Sequence, residues 1–136
     1  MQLRGALQLE PLVFGIRDSA PEPDVAVDSS GNLFVTDYGQ GEVLEESPSG
    51  GGGYSPSVVA SGLANPLGVA VDSSGDVFVA ASNQGTVFEE SPSGGGDYSQ
   101  SVVASGFSAP YGVAVDSSGN VFVADASQGE VFEESP

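Results

Sequence analysis

The stretch VAVDSSGNVFVAD, from Val113 to Asp125, decides the fold, because nearly the same thirteen residues occur twice more in the chain. The earlier copies are VAVDSSGNLFVTD at Val25–Asp37 and VAVDSSGDVFVAA at Val69–Ala81. The first aspartates of the copies lie 44 residues apart each time: Asp28, Asp72 and Asp116. The chain is therefore a tandem array of one structural unit.

Each unit has the pattern of short strands joined by tight turns. In the first unit, Val25–Val27 is an apolar strand expected to be covered on both faces, and the turn sequence Asp-Ser-Ser-Gly separates it from a second strand, Leu33–Thr36. Glu42–Glu46 is a third strand, Ser47–Gly53 is predicted to be an irregular loop, and Ser57–Ala60 is a short fourth strand. The later units repeat these strands, with the fourth missing from the third unit: Val69–Val71, Val77–Ala80, Thr86–Glu90, Ser101–Ala104, Val113–Val115, Val121–Ala124 and Glu130–Glu134.

The composition agrees with an all-β chain and excludes several partners. Twenty Gly and nine Pro among 136 residues favour strands and turns over long helices. The net charge of −17, with two Arg, no Lys and no His, repels phosphate backbones and anionic membranes, so neither nucleic acid nor membrane is an expected partner. The acidic side chains either attract cations and basic partners or keep a β-rich surface soluble.

The absence of Cys excludes disulfides, thiolate metal sites and a Cys nucleophile, and leaves the compartment undecided. The apolar residues of the first nine positions are too sparse for a signal sequence, and no run reaches transmembrane length. A soluble protein without a signal peptide is therefore expected.

Four-stranded antiparallel units with a period near 44 residues are typical of β-propeller blades. The phrases PYGVAVD from Pro110, GNVFVAD from Gly119 and GEVF from Gly129 resemble the NHL-repeat family of β-propellers over about residues 22 to 136. The chain departs from that family where Gln-Gly replaces the usual Asn and Arg before the third strand, and where Ala81 replaces the Asp that closes the second strand.

Three blades cannot close a ring, and the resemblance implies a six-bladed closed propeller. An open stack would leave two apolar blade faces in water. We therefore predict a homodimer with blade-to-blade contacts, in which residues 1–20 form a separate N-terminal segment and Leu12–Ile16 supplies the missing strand to the partner's last blade. The alternative is that the chain is a fragment of a longer propeller protein.

The differences between units suggest where a ligand site lies. Residues 25–68 and 69–112 match at 30 of 44 positions, and nine of the fourteen mismatches fall in the loops after the second and fourth strands, which the resemblance implies share one end of the ring. A ligand without the ring's pseudo-symmetry needs such unlike side chains, although drift at exposed loop tips is the alternative explanation. The predicted face comprises Asp37, Tyr38, Gln40, Asn65, Leu67, Ser82, Asn83, Gln84, Phe107, Tyr111, Asp125, Ser127 and Gln128.

Catalytic patterns are weak in this sequence. The paired glutamates, such as Glu45-Glu46, alternate across a strand and are interpreted as solvated outer-strand residues. The Asp-Ser-Ser-Gly turns lack the spacing of a calcium loop, and no cofactor or metal is expected. Some relatives by fold are metal-dependent lyases or lactonases, and a carboxylate and amide site could come only from Asp24, Asn65, Asp37 or Asp125. We therefore favour a non-enzymatic scaffold or sensor module that binds a protein or small ligand, with a lyase or lactonase as the alternative.

Overall fold

The computed structural model describes residues 23–136, and their regular elements are eleven strands and one short 3-10 turn. The predicted segment 1–20 and its strand Leu12–Ile16 lie outside the described residues. The 3-10 turn is Ser82–Gln84, and no helix in the described range is long and apolar enough to cross a membrane. In chain order the strands are β1 (Val25–Val27), β2 (Leu33–Asp37), β3 (Glu42–Gly50), β4 (Gly53–Ala60), β5 (Pro66–Val71), β6 (Val77–Ala81), β7 (Thr86–Gly94), β8 (Asp97–Ser105), β9 (Pro110–Val115), β10 (Val121–Asp125) and β11 (Glu130–Glu134).

The strands form three antiparallel sheets, in each of which neighbours in the sequence are neighbours in the sheet. We call β1 to β4 blade 1, β5 to β8 blade 2 and β9 to β11 blade 3. Blades 1 and 2 have four strands and blade 3 has three. The predicted all-β architecture of propeller blades, with the fourth strand of the last blade missing, is confirmed.

The prediction of an irregular loop at Ser47–Gly53 is wrong. β3 continues to Gly50 and β4 begins at Gly53, with Ser47 opposite Ser55 and Pro48 opposite Tyr54. The chain reverses through glycines with positive φ, which side chains rarely tolerate, so the glycine run closes a hairpin. Pro48 is compatible with this strand because β2 has already ended, which leaves β3 with one neighbour there.

The core lies between the blades, and alternate residues of each strand face opposite neighbours. Phe34 and Val43 of blade 1 pack with Val77 and Val79 of blade 2, and all four are almost completely buried. On the other side of blade 2, Phe78 and Val87 pack with Val121 and Val123 of blade 3. Each blade therefore needs a neighbour on both faces to bury its apolar side chains.

The outer face of blade 3 lacks such a neighbour within residues 23–136. The outer face of blade 1 is open along its first strand, although Val35 and Leu44 on the same face are 1% and 6% exposed. Val131 is 70% exposed, although its counterparts Val43 and Val87 are both 0% exposed. At the other end, Val25 and Val27 of β1 are 56% and 61% exposed. The expectation that the first strand is covered on both faces is therefore wrong for blade 1, because nothing in the described residues covers this edge of its outer face.

The interpretation of the paired glutamates as solvated residues is also wrong for blades 1 and 2. Glu46 is 0% exposed and Glu90 is 3% exposed. Alternation along β7 turns Glu90 toward blade 1, and Glu46 lies at the same position on the outer face of blade 1. Glu90 accepts a 2.6 Å hydrogen bond from Gln100 Nε2. The two carboxyl oxygens of Glu46 have no partner within the described residues, because Pro56 occupies the position that Gln100 has in blade 2.

Burial raises the pKa of the Glu46 carboxyl above its ordinary value, and within residues 23–136 no hydrogen bond to the carboxyl favours its charged form. Burial also raises the pKa of Glu90, and the bond from Gln100 partly opposes that rise. Glu46 therefore binds its proton more tightly in the folded chain than in the unfolded chain. Its contribution to stability is full below a pH near 4.5 and is lost as the pH rises through the folded pKa.

A Pro56→Gln variant should be more stable than the natural chain at pH 7. The new amide reaches Glu46 as Gln100 reaches Glu90, and a hydrogen bond to a charged group contributes about 1.5–3 kcal/mol. Loss of the proline restraint on the unfolded chain offsets about 0.4–1 kcal/mol of this gain. Urea unfolding followed by circular dichroism measures the difference, which should shrink at pH 4.

Pro56→Ala is the matched control, because it removes the proline without adding an amide. It should not be more stable than the natural chain. Equal stabilities for Pro56→Ala and Pro56→Gln would show that the new amide does not reach Glu46.

Candidate ligand-binding face

The loops that follow the second and fourth strands of a blade meet at one end of the array. Leu63 N donates to Gly41 O at 3.0 Å in blade 1, and Phe107 N donates to Gly85 O at 3.1 Å in blade 2. These bonds join the β2–β3 turn to the β4–β5 loop, and the β6–β7 turn to the β8–β9 loop. The two loop types therefore share one end, which we call the loop face.

Glycine is required at this junction. Gly41 and Gly85 both have positive φ, and a Cβ atom on either would collide with the carbonyl oxygen of Leu63 or Phe107. Their counterpart Gly129 has the same positive φ, yet a Cβ there would meet nothing within 4 Å. The Gln-Gly pairs that depart from the family pattern thus hold a close backbone contact in blades 1 and 2.

Asp125 organises the loops of blade 3. Its carboxylate accepts hydrogen bonds from Ser108 N at 2.8 Å, Ala109 N at 3.1 Å and Ser127 N at 3.1 Å, and the side chain is buried. Burial raises the pKa of Asp125, but the backbone donors outweigh that effect and hold it below the ordinary value. The carboxylate thus stays charged and ties two loops together.

Blade 2 has Ala81 at this position and connects the same loops differently. The backbone bond from Ser82 N to Asn65 O, at 3.0 Å, is the counterpart of the bond from Ala126 N to Ala109 O in blade 3. Gln84 Oε1 then accepts a bond from Ala64 N at 3.0 Å, and Ser82 Oγ donates to Asn65 O. Asn65 itself has a φ of 57°, in the left-handed region.

In blade 1, Asp24 and Asp37 also accept hydrogen bonds from backbone N–H groups. Asp37 is buried and accepts a bond from Gln40 N at 3.0 Å. Asp24 accepts a bond from Val69 N of blade 2 at 3.0 Å, while Thr36 Oγ1 donates to Leu67 O across the same junction. Blades 1 and 2 are thus joined by polar contacts between the region of β1 and β2 and the first strand of blade 2, β5.

A groove of about 430 Å³ lies on the loop face and draws residues from all three blades. Five of the residues predicted from the sequence line it, together with two that the prediction omitted. The omitted pair lies at positions where the first two units also differ, so the same comparison could have found both. The lining residues are Tyr38, Leu67, Ser82, Asn83, Tyr111 and, beyond the prediction, Ser108 and Ala109.

The other predicted residues do not line this groove. Phe107 is part of the packing between blades 2 and 3, where its ring meets Phe132 edge to face at 5.5 Å. Most of the rest make or receive the loop bonds described above. The residues outside the groove are Asp37, Gln40, Asn65, Gln84, Phe107, Asp125, Ser127 and Gln128.

The described residues do not fit a metal site. Among residues 23–136, no group of three or more acidic side chains converges as a metal ion would require. Asp24, Asp37 and Asp125, the carboxylates that the sequence offered, each accept backbone hydrogen bonds. We therefore assign no chemistry to a metal in this part of the chain.

Comparison with solved structures gives the architecture. A streptogramin B lyase is similar over 82% of this chain and 39% of the lyase, with a TM-score of 0.60 and 16% identity. A gluconolactonase from Xanthomonas campestris has a TM-score of 0.63 and 19% identity over 84% of this chain and 46% of its own. A catalytically inactive histidine-to-alanine variant of virginiamycin B lyase from Staphylococcus aureus, solved with quinupristin, has a TM-score of 0.57 and 12% identity over 82% and 40%.

These likenesses show a β-propeller fold, and the chain spans less than half the length of each of these proteins. No protein-family model matches the chain, and no curated protein matches it either. At these identities the similar structures do not carry over an activity.

Replacing Asp125 with Asn should destabilise the chain at pH 7, because the backbone donors of two loops lose their charged acceptor. Since the folded pKa of Asp125 is lowered, its stabilising effect is present above a pH near 3.8 and is lost as the pH falls through the folded pKa. Urea midpoints of the natural chain and Asp125→Asn should therefore converge at low pH. Asp97→Asn, which removes the same charge at an exposed hairpin position, is the control. A constant difference at all pH values would contradict this role.

Proposed function

We propose that this chain supplies half of a six-bladed propeller of the architecture found in the streptogramin B lyases and gluconolactonases, and that its loop face binds a small organic ligand. The groove on that face carries the proposal, because its residues come from three blades and differ from blade to blade. A ligand bound there meets different side chains in each blade. It does not meet the same side chain three times.

The lining residues suit a neutral ligand with both apolar and polar surface. Tyr38 and Tyr111 supply aromatic rings, and Ser82, Asn83 and Ser108 supply hydroxyl and amide groups. No carboxylate is among the residues that line the groove. A lactone is a neutral compound of this kind, and one of the similar structures is a gluconolactonase.

Two functions remain for a ring that contains these blades. The likeness to propeller enzymes supports a lyase or lactonase, in which the present residues form the wall that binds substrate. The absence of an acid, base or metal cluster from the described groove supports a binding module without catalysis. A ring made only of copies of this chain contains no histidine, the residue type whose replacement accompanies the inactive form of virginiamycin B lyase.

The assignment to the NHL-repeat family remains a proposal that rests on sequence phrases. The residues PYGVAVD from Pro110 form β9 and its turn, and GNVFVAD from Gly119 leads into β10. They therefore form the first two strands of blade 3, which pair antiparallel. The Gln-Gly pairs and Ala81 are the points at which the likeness fails.

Gluconolactone and quinupristin are the first probes for the groove. We expect the natural chain to bind one of them in calorimetry, and the double variant Tyr38→Ala/Tyr111→Ala to bind it at least roughly tenfold more weakly, since a buried aromatic contact contributes about 0.5–1.5 kcal/mol beyond its area. The same solutions, assayed for lactone hydrolysis or ring opening, distinguish an enzyme from a binding module.

Tyr54→Ala is the matched control, because Tyr54 lies in the β3–β4 hairpin away from the groove. It should leave binding of the probe unchanged. Binding that survives loss of both groove tyrosines would contradict the assigned face, and failure of both probes to bind would contradict a ligand of the lyase or lactonase type.

A further inference from the structure

The groove on the loop face lies in a part of the chain that has no basic side chain. All but three of the nineteen Asp and Glu residues lie within residues 23–136, whereas both arginines precede residue 23. The chain contains no Lys and no His. The side-chain charges of the array around the groove therefore all have the same sign.

One of these charges is bonded directly to the groove lining. Asp125 accepts hydrogen bonds from Ser108 N at 2.8 Å and from Ala109 N at 3.1 Å, and both donors belong to residues that line the groove. Screening in physiological salt acts over about 8 Å. A carboxylate attached to the lining residues themselves therefore acts on a ligand that lies against them.

Two further aspartates lie next to lining residues of blades 1 and 2. Asp37 immediately precedes Tyr38 in the chain. Asp24 accepts a bond from Val69 N at 3.0 Å, two residues after Leu67. The segments that contribute the groove residues of blade 1, blade 2 and blade 3 are thus each adjacent to a carboxylate.

Backbone N–H groups, which bind anions in many proteins, are mostly occupied at the groove. Asp125 takes two of them, as described. Ser82 N and Asn83 N donate to backbone carbonyls of the β4–β5 loop at 3.0 and 3.2 Å. Four of the seven lining residues therefore have an N–H group that is already bonded within the chain.

The groups that remain for a ligand suit a cation. Tyr38 and Tyr111 line the same groove, and Tyr111 is 49% exposed. The face of a tyrosine ring attracts an ammonium group. The hydroxyl of Ser108 and the amide oxygen of Asn83 accept hydrogen bonds from such a group.

We propose that the groove selects its ligand by charge. It prefers an organic ligand with an ammonium group over an uncharged ligand of the same shape, and it rejects carboxylates and phosphates. This selection rests on the proposed function, because it takes the groove of the loop face as the ligand site. It adds to that function the charge class of the compounds that bind.

An introduced thiol measures the charge selection without any bound ligand, because the chain contains no cysteine. In Asn83→Cys, an exposed groove position, a methanethiosulfonate with a trimethylammonium group should react faster than one with a sulfonate group. In 20 mM NaCl the ratio of the two rate constants should be at least roughly fivefold larger than in Ser49→Cys. The two ratios should approach each other in 500 mM NaCl.

Ser49→Cys is the matched control for the overall charge of the molecule. Ser49 is exposed in the β3–β4 hairpin, and residues 47–56 contain no Asp or Glu. It therefore reports the attraction of the cationic reagent to an acidic protein without the groove aspartates. Equal ratios at the two thiols in low salt would overturn the inference.

Three phenyl compounds of similar size test the selection in binding at pH 7. By calorimetry, 2-phenylethylamine should bind more tightly than 2-phenylethanol, and 3-phenylpropionate should bind at least roughly fivefold more weakly than the alcohol. Asn83→Lys should weaken binding of the amine and strengthen binding of the acid. Ser49→Lys makes the same change in net charge outside the groove and should leave the order unchanged.

The outcomes separate this inference from the proposed function. Binding of 3-phenylpropionate as tightly as 2-phenylethylamine would overturn the charge selection. No binding of any of the three, or equal binding by Tyr38→Ala/Tyr111→Ala and the natural chain, would contradict the proposed function instead.

Discussion

Packing of one blade against the next is the interaction on which this structure depends. A blade has apolar side chains on both faces of a thin sheet, and burial of that surface contributes roughly 25 cal/mol per Å². Val43 and Val87 are completely buried by a neighbouring blade, whereas Val131 at the same position is largely exposed. The burial of one residue type thus depends on position in the array and not on the local sequence, which is nearly identical in all three units.

Each 44-residue unit contains a part with local hydrogen bonds and a part whose hydrogen bonds join separate loops. The repeated phrase around Asp-Ser-Ser-Gly forms a hairpin in which the aspartate accepts backbone hydrogen bonds, as in the bond from Ser30 N to Asp28 at 2.9 Å. Those bonds are local, so they recur wherever the phrase occurs. The loop face is different, because its bonds join separate loops and each blade satisfies them with other residues. Asp125 does so with a carboxylate and Gln84 with an amide.

Much of the fold could be predicted from the sequence, because the 44-residue period and the hairpin chemistry are local signals. The strand order and the missing fourth strand of blade 3 followed from them, whereas the shared end of the two loop types was implied by the family resemblance. The extension of β3 through Ser47–Gly50 could not be inferred from composition, since glycines that break a strand also close a tight hairpin. Nor could burial of Glu90, which depends on blade 1 packing against that face of blade 2. In the groove, Tyr38 and Tyr111 could be found by comparing units, because each differs from its counterpart in blade 2. The hydrogen bonds of Asp37 and Asp125 to backbone groups could not be found without the loop geometry.

The solution mass of the chain is the measurement that tests this account most directly. Light scattering on the folded 136-residue protein should give twice the mass of the 13.6 kDa chain at micromolar concentration, because Val25, Val27 and Val131 stay largely exposed in a single array. The dimer should persist on dilution more strongly at high salt than at low salt. A folded species that stays at 13.6 kDa under all these conditions would contradict the account, since Val25, Val27 and Val131 would then remain in water without a partner.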